Sequence, residues 1–408
     1  MSSIATMTQG PSASEHAAHV PATAAPHLVH LPTPGDHYSA ATGSAVMTVI
    51  YEFSRCHAAA GGETSVLVSR GTRHDYSVGQ CIEFVGRGLP DKKRKLVDSA
   101  AGMIGLTRPF ERHFYKPAIE SMNRSFDGIF LLHNAASAVI PFARRFPNAR
   151  IFLWPHNDLF GTYSRHEVRR TIDAATGVIC VSRFIANGIS RRLGGVMTSK
   201  LRVVNNGVDT DRFRPNTDRA EQQNDVPIVL FVGRVTPQKA PDLIIRAAAK
   251  ILSRTRKFKV RIVGNAGFSA SDPLTPYERE LRALAAPLGD AVEFQSFVDR
   301  NKLLSEFDAA SIYCVPSNWD DPCPLTVGEG MACGLPSIVA RRGGIPEVAA
   351  DAALYFTPPD IDELSAQLER LINSTAERAD WAAKARARAT QITWTNQYRE
   401  LRTQLAAG

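Results

Sequence analysis

Short apolar, β-branched runs alternate with stretches of helical period along most of this sequence. In the first half the runs are LVHLPT from Leu28, TSVLVSR from Thr64, DGIFLLHN from Asp127, ARIFLWPHN from Ala149 and TGVICVSR from Thr176. Each is bounded by turn residues and reads as a buried strand, while GSAVMTVIYEFSRC from Gly43 reads as a helix. The second half repeats the pattern with PIVLFVG, FKVRIVG, AVEFQSF, SIYCVPS, PSIVA and AALYFTP as strands. PDLIIRAAAKILSR, YERELRALAAPL and IDELSAQLERLINS are its helices, and Glu377 to Leu405 is helical in period. Strands alternating with helices predict parallel, doubly wound sheets, so the fold class is α/β with two such units.

The polar stretch NNGVDTDRFRPNTDRAEQQNDVP separates the two halves and has almost no apolar content, which marks residues 206–226 as an interdomain linker. The expected organisation is a polar, disordered tail over residues 1–26, an N-terminal domain over 27–205 and a C-terminal domain over 227–375. Helices over 376–408 are expected to pack back towards the N-terminal domain. A length of 408 residues suits two domains, each burying its own core.

Composition narrows the partners. Lysine and arginine outnumber acidic residues 48 to 40, which favours an anionic partner of some kind. No aromatic-basic module of a nucleic-acid binder is present, so no nucleic-acid partner is expected. The six cysteines are scattered with no Cys-x-x-Cys pair, the usage of a reduced, cytoplasmic chain. The first residues have neither the basic start nor the apolar core of a signal peptide, and no stretch is apolar for long enough to span a membrane. Membrane contact would therefore be peripheral. DKKRK at Asp91–Lys95, followed by cations mixed with Phe110, Phe114 and Tyr115, offers residues 91–116 as a surface for anionic lipid, against the alternative of a solvated charged loop.

Two segments carry the candidate chemistry. In VPSNWDDPCPLTVGEGMACGLPSIVARRGGIPEV a strand runs through a Pro-rich loop into a short helix starting near Thr326, with Glu329 one turn in. Such a helix start offers N–H groups to a phosphate, and the carboxylate can accept from both ribose hydroxyls or merely complement the helix dipole. In LFVGRVTPQKAPDLI a strand ends at Gly233, and Arg234 and Lys239 follow in the loop before a helix that Pro241 can open. Two cations on one loop suit a diphosphate, as a planar fork and a point charge.

These segments, with VVNNGVDTDRF, MACGLPSIVA and GGIPEV in this order, resemble the nucleotide-sugar glycosyltransferases of family 4, which have the GT-B fold of two Rossmann-like domains facing a cleft. The resemblance is specific from about Leu201 to Phe356. It implies a retaining transferase that needs a nucleotide sugar, no cofactor and no metal, with a glycan or lipid-linked acceptor. It also implies that Arg234 and Lys239 neutralise the donor diphosphate, that Glu329 holds the ribose and that Asp321 contacts the transferred sugar. Gly43 and Gly233 would let backbone approach the ligand, and Cys323, Leu325 and Thr326 would line the donor site. His156 in WPHN matches the family's active-site histidine, with His133 in LLHN as a second candidate.

The sequence departs from the family twice. Asp321-Pro322-Cys323-Pro324 stands where Glu-Pro-Phe-Gly is usual, giving a shorter carboxylate and one N–H fewer. The usual pair of glycines is also single here, at Gly43, because Gly61 and Gly62 fall after the helix and read as a turn. A dehydrogenase is excluded by the missing G-x-G-x-x-G at the first strand-helix turn. A nucleotide-sugar epimerase on the same fold, or a binding protein that has lost transfer, remains compatible with these residues.

Overall fold

The computed structural model describes residues 25–88, 91–104, 108–196, 198–216, 226–255, 257–267 and 271–407. The tail expected over residues 1–26 lies outside them up to residue 24, as does residues 217–225 of the expected linker.

Two all-parallel sheets carry the two halves. The N-terminal sheet contains β1 (Leu28–Leu31), β2 (Thr64–Ser69), β3 (Gln80–Phe84), β4 (Ile129–His133), β5 (Arg150–Trp154), β6 (Gly177–Cys180) and β7 (Leu201–Val203). Its strand order is β3-β2-β1-β4-β5-β6-β7. The C-terminal sheet contains β8 (Ile228–Val232), β9 (Lys259–Val263), β10 (Val292–Gln295), β11 (Ile312–Val315), β12 (Ser337–Ala340) and β13 (Leu354–Phe356), in the order β10-β9-β8-β11-β12-β13. Both orders reverse direction beside the first strand of the unit, so each sheet has a switch point where loops part and a ligand can enter. The central strands β1, β4 and β11 are buried at every residue, as parallel strands covered on both faces must be. Every strand proposed from the apolar runs is present. The edge strands β3 and β7 were not foreseen, because QCIEF alternates half-exposed polar and apolar residues and LRV is only three residues long.

Local chemistry fixes the helix starts. Ser44 caps helix Ala45–Ala59, Ser164 with Glu167 and Thr275 with Glu278 form capping boxes, and Pro241 occupies the first turn of helix Pro241–Ile251. Residues 91–116 are not a charged loop where described: Asp91 caps helix Lys92–Met103, and helix Pro109–Glu120 follows. Phe114 and Tyr115, expected on a docking surface, are instead buried in the N-terminal core.

The described start of the crossing between domains, residues 206–216, is packed against both domains. Of the sparse apolar residues in the expected linker, Val208 and Phe213 are both buried, Phe213 with its ring edge to Phe307. Arg386 donates to the carbonyls of Thr210, Phe213 and Ala332, holding helix Thr375–Gln391 on the C-terminal domain. The chain then returns: Val208 N–H donates to the Ile392 carbonyl and Trp394 N–H to the Val208 carbonyl. The last helix, Trp394–Ala406, lies on helix Ala45–Ala59, with the Trp394 ring 5.4 Å from Phe53 and Tyr398 hydroxyl 2.7 Å from His57 Nδ1.

Candidate active site

The carboxyl end of β8 and the loop before helix Ala45–Ala59 meet at a crevice of ≈ 130 Å³. Gly43, Gly233, Arg234 and Thr326 all line it, so four of the expected donor-site residues come together from three separate stretches of chain. Gly43 has φ +58°, the left-handed region that costs a residue with a Cβ and costs glycine nothing. Arg300 also lines the crevice and was not anticipated, since it sits in the unremarkable segment VDRNK.

Two ion pairs hold the expected carboxylates, one of them formed by Arg300 of the crevice wall. Lys239 pairs with Asp321, whose side chain is 6% exposed, and the Lys239 ammonium lies 5.8 Å from the Trp319 ring. Arg300 pairs with Glu329 through Oε1, while Glu329 Oε2 is buried and has no hydrogen-bond partner among the described residues. Burial works against the Arg300 charge, but Glu329 beside it outweighs burial and holds the guanidinium protonated. An acceptor oxygen left bare beside a satisfied one is costly in a folded protein unless a ligand completes it. Both carboxylates singled out in the sequence thus pair with a cation, Asp321 with the expected Lys239 and Glu329 with the unanticipated Arg300.

Other expected residues are placed differently. Cys323 faces the interdomain segment, its carbonyl accepting from Asn206 Nδ2 at 2.8 Å and its Sγ from Asn206 N–H at 3.4 Å, with burial pushing the thiol up to about 12. Leu325 is buried at the start of helix Leu325–Ala332. Gly343, at φ +55°, lets the Asp321 loop close against it, since a Cβ there would fall 2.4 Å from the Asp321 carbonyl oxygen. Glu347 of the GGIPEV segment reaches the other domain, accepting from Arg183 N–H at 2.7 Å and Phe184 N–H at 2.8 Å. It satisfies the free start of helix Arg183–Arg192 and clasps the two domains together.

His156 and His133, weighed as alternatives in the sequence, are partners, and His156 is not among the residues lining the crevice. His30 Nδ1 lies 2.8 Å from His133 Nε2, and His133 Nδ1 lies 2.8 Å from His156 Nε2, across the ends of the adjacent strands β1, β4 and β5. Trp154 stacks on both His133 and His156. Burial pushes His30 and His156 down to about 3 and His133 well below its ordinary value, with the neighbouring rings adding to the shift at His30 and His133. All three are neutral near pH 7, so each ring has one N–H donor and one acceptor nitrogen. The direction follows from the far end, where buried His30 Nε2 has no partner among the described residues. An orphaned buried N–H is rarer in native proteins than a bare acceptor, which assigns the protons to His30 Nδ1 and His133 Nδ1, both donating towards His156. The same assignment leaves the His156 proton on Nδ1. Nothing in the sequence around His30 marks it, because the register sets it opposite Leu131, two residues before His133 and on the same face of the sheet.

Two opposed parallel sheets whose ligand-binding edges share one crevice define a GT-B protein. Comparison with known proteins agrees with this architecture. The model for Glycosyltransferase Family 4 matches residues 46–212 and that for Glycosyl transferases group 1 matches residues 213–388, so the two run without a gap across both domains. The chain belongs to glycosyltransferase family 4. It is 32% identical over 237 residues to D-inositol 3-phosphate glycosyltransferase 2 of Catenulispora acidiphila, covering 55% of each chain. It is 35% identical over 246 residues to the D-inositol 3-phosphate glycosyltransferase of Acidothermus cellulolyticus, covering 56% of this chain and 54% of that one. The matches thus span about half the length of these relatives. Among solved structures, Anabaena Alr3699/HepE in complex with UDP and glucose superposes with a TM-score of 0.69 at 18% identity, over 94% of this chain and 100% of that one. The sucrose-phosphate synthase of Thermosynechococcus elongatus does so with a TM-score of 0.70 at 19% identity over the same shares. At that identity the structural likeness establishes the fold.

Proposed function

We propose that the chain transfers a sugar, with retention at the anomeric carbon, from a nucleoside-diphosphate sugar to a hydroxyl of a glycan or lipid-linked glycan, as a cytoplasmic protein that touches a membrane surface. The observation that carries this is the bare Glu329 Oε2 beside the crevice wall of Arg234, Thr326 and Arg300. Arg300 holds Glu329 through one oxygen and leaves the other for a ribose hydroxyl. Lys239, now on Asp321, exchanges that carboxylate for the donor diphosphate, which returns Asp321 to the sugar. Breaking the anomeric bond builds positive charge on the sugar and negative charge on the departing diphosphate. Arg234 and Lys239 stabilise the leaving group, and no metal is required. Relatives named D-inositol 3-phosphate glycosyltransferase and a fold neighbour in complex with UDP and glucose support sugar transfer from a nucleotide donor.

The lipid contact rests on helix Lys92–Met103. Among the described residues seven large apolar side chains are exposed, and four of them, Leu96, Val97, Met103 and Ile104, lie on this helix or its C-cap. At helical spacing they form one stripe opposite buried Asp98 and Gly102, with Lys92 and Lys93 at its end. Among the described residues no helix is long and apolar enough to cross a membrane.

A panel of nucleotide sugars tests the central claim, scored for binding and for slow hydrolysis without acceptor. One donor should stand out, with its anomeric configuration kept in the product. Failure of every donor to bind or hydrolyse would sink the reading.

A further inference from the structure

Helices Pro109–Glu120, Val139–Arg145 and Arg165–Ala174 leave between them a groove of ≈ 670 Å³, about five times the volume of the donor-site crevice. Six arginine and lysine side chains line it against two glutamates. Both glutamates are engaged. Glu167 binds Arg108 at 2.8 Å, and Glu120 lies 3.5 Å from Lys116. Arg108 is itself used up, buried and stacked 3.7 Å from the centre of the Tyr163 ring.

Arg112 and Lys116 stand one helical turn apart on one wall, and Arg144 and Arg145 end the helix on the other. Among the described residues no ion pair is formed by Arg112, Arg144 or Arg145. Like charges gathered around a concavity raise the free energy of the empty protein and lower it once an anion enters. Ile119 and Ile140 add apolar surface between the two cationic walls. A free inorganic anion has no use for that surface, whereas an anion with a hydrocarbon body fills both.

The groove shares a rigid frame with the stripe on helix Lys92–Met103. Asp98 accepts from the backbone N–H groups of Phe110 at 2.9 Å and Glu111 at 3.0 Å, so one helix caps the start of the next. Arg94 lies 5.5 Å from the centre of the Phe110 ring.

We propose that this groove binds the phosphate-bearing end of an amphiphilic anion drawn from a lipid surface, with the phosphate among Arg112, Lys116, Arg144 and Arg145 and the adjoining hydrocarbon over Ile119 and Ile140. The proposal rests on the transferase reading only in naming the acceptor's class, a lipid phosphate that delivers its glycan to the cleft.

The experiment titrates the full chain calorimetrically with decyl phosphate below its micelle concentration, with inorganic phosphate and with decyl glucoside, in the presence of excess nucleoside diphosphate to occupy the donor site. Decyl phosphate should bind at least tenfold more tightly than either control. Arg112→Ala with Arg144→Ala should weaken it at least tenfold while far-ultraviolet dichroism stays unchanged. Leu96→Asp with Met103→Asp should leave decyl phosphate binding unchanged and abolish sedimentation with vesicles of phosphatidylcholine and phosphatidylglycerol, so loss of the stripe and loss of the groove are read separately. Equal affinity for inorganic phosphate, displacement by the nucleotide, or binding that survives loss of both arginines would each overturn the proposal. Donor hydrolysis measured on the same samples reports independently on the transferase reading.

Discussion

Acidification should destabilise this protein through its buried histidine row, by an amount the structure sets. His30 and His156 are held near 3 by burial and His133 is held well below its ordinary value, whereas in the unfolded chain all three titrate near 6.5. Between those values the unfolded state binds more protons than the folded one, so stability rises with pH there. It is fully present above 6.5 and is lost as pH falls towards 3. At pH 5.5 each ring costs about 1.4 kcal/mol, so the row costs about 4 kcal/mol, against about 0.2 kcal/mol at pH 7.5. That is a large part of the roughly 5 to 15 kcal/mol that holds a domain together. The assay is urea unfolding at both pH values, followed by tryptophan fluorescence, to which Trp154 beside the row contributes, and by dichroism. His30→Leu should shrink the pH-dependent loss by about one third, roughly 1.4 kcal/mol. His57, also lowered by burial, adds to the loss, and Glu52, raised by burial, opposes it, but both are present in each protein and cancel in the difference. A wild-type loss under about 1 kcal/mol, or the same loss in His30→Leu, would refute the assignment of a neutral row.

Glu329→Gln should weaken nucleoside-diphosphate binding about ten- to a hundredfold and cost stability as well, because Arg300 is left buried without its counter-charge; titration calorimetry and urea unfolding read the two effects. Asp321→Ala should release Lys239 to the diphosphate, so free nucleotide should bind as tightly as in wild type or several-fold more tightly while transfer falls at least tenfold; unchanged transfer would mean Asp321 only anchors its loop. Glu347→Ala removes the carboxylate on the start of helix Arg183–Arg192 at a cost of about 1 to 2 kcal/mol, and scanning calorimetry should show its domains unfolding in transitions more widely separated than in wild type.

What the sequence by itself determined is what short-range physics controls. Period and turn residues placed every central strand, Pro241 placed the start of its helix, and the expected donor-site residues Gly233, Arg234 and Thr326 fall at a strand end and a helix start, where backbone geometry leaves them little freedom. The half-exposed strand β3 escaped because an edge strand buries too little to show a period, and helix Lys92–Met103 escaped because its apolar stripe faces outward among lysines. Pairings across sequence distance were decided only by the tertiary structure. Arg300 reaches Glu329 from 29 residues away, Glu347 reaches Arg183 across 164, and His30 meets His133 across 103. No local signal encodes such a contact, since each depends on which strands lie adjacent in a sheet and how two domains oppose one another. The same holds for His156, whose neutral state and proton direction are set by burial and by a ring two strands away.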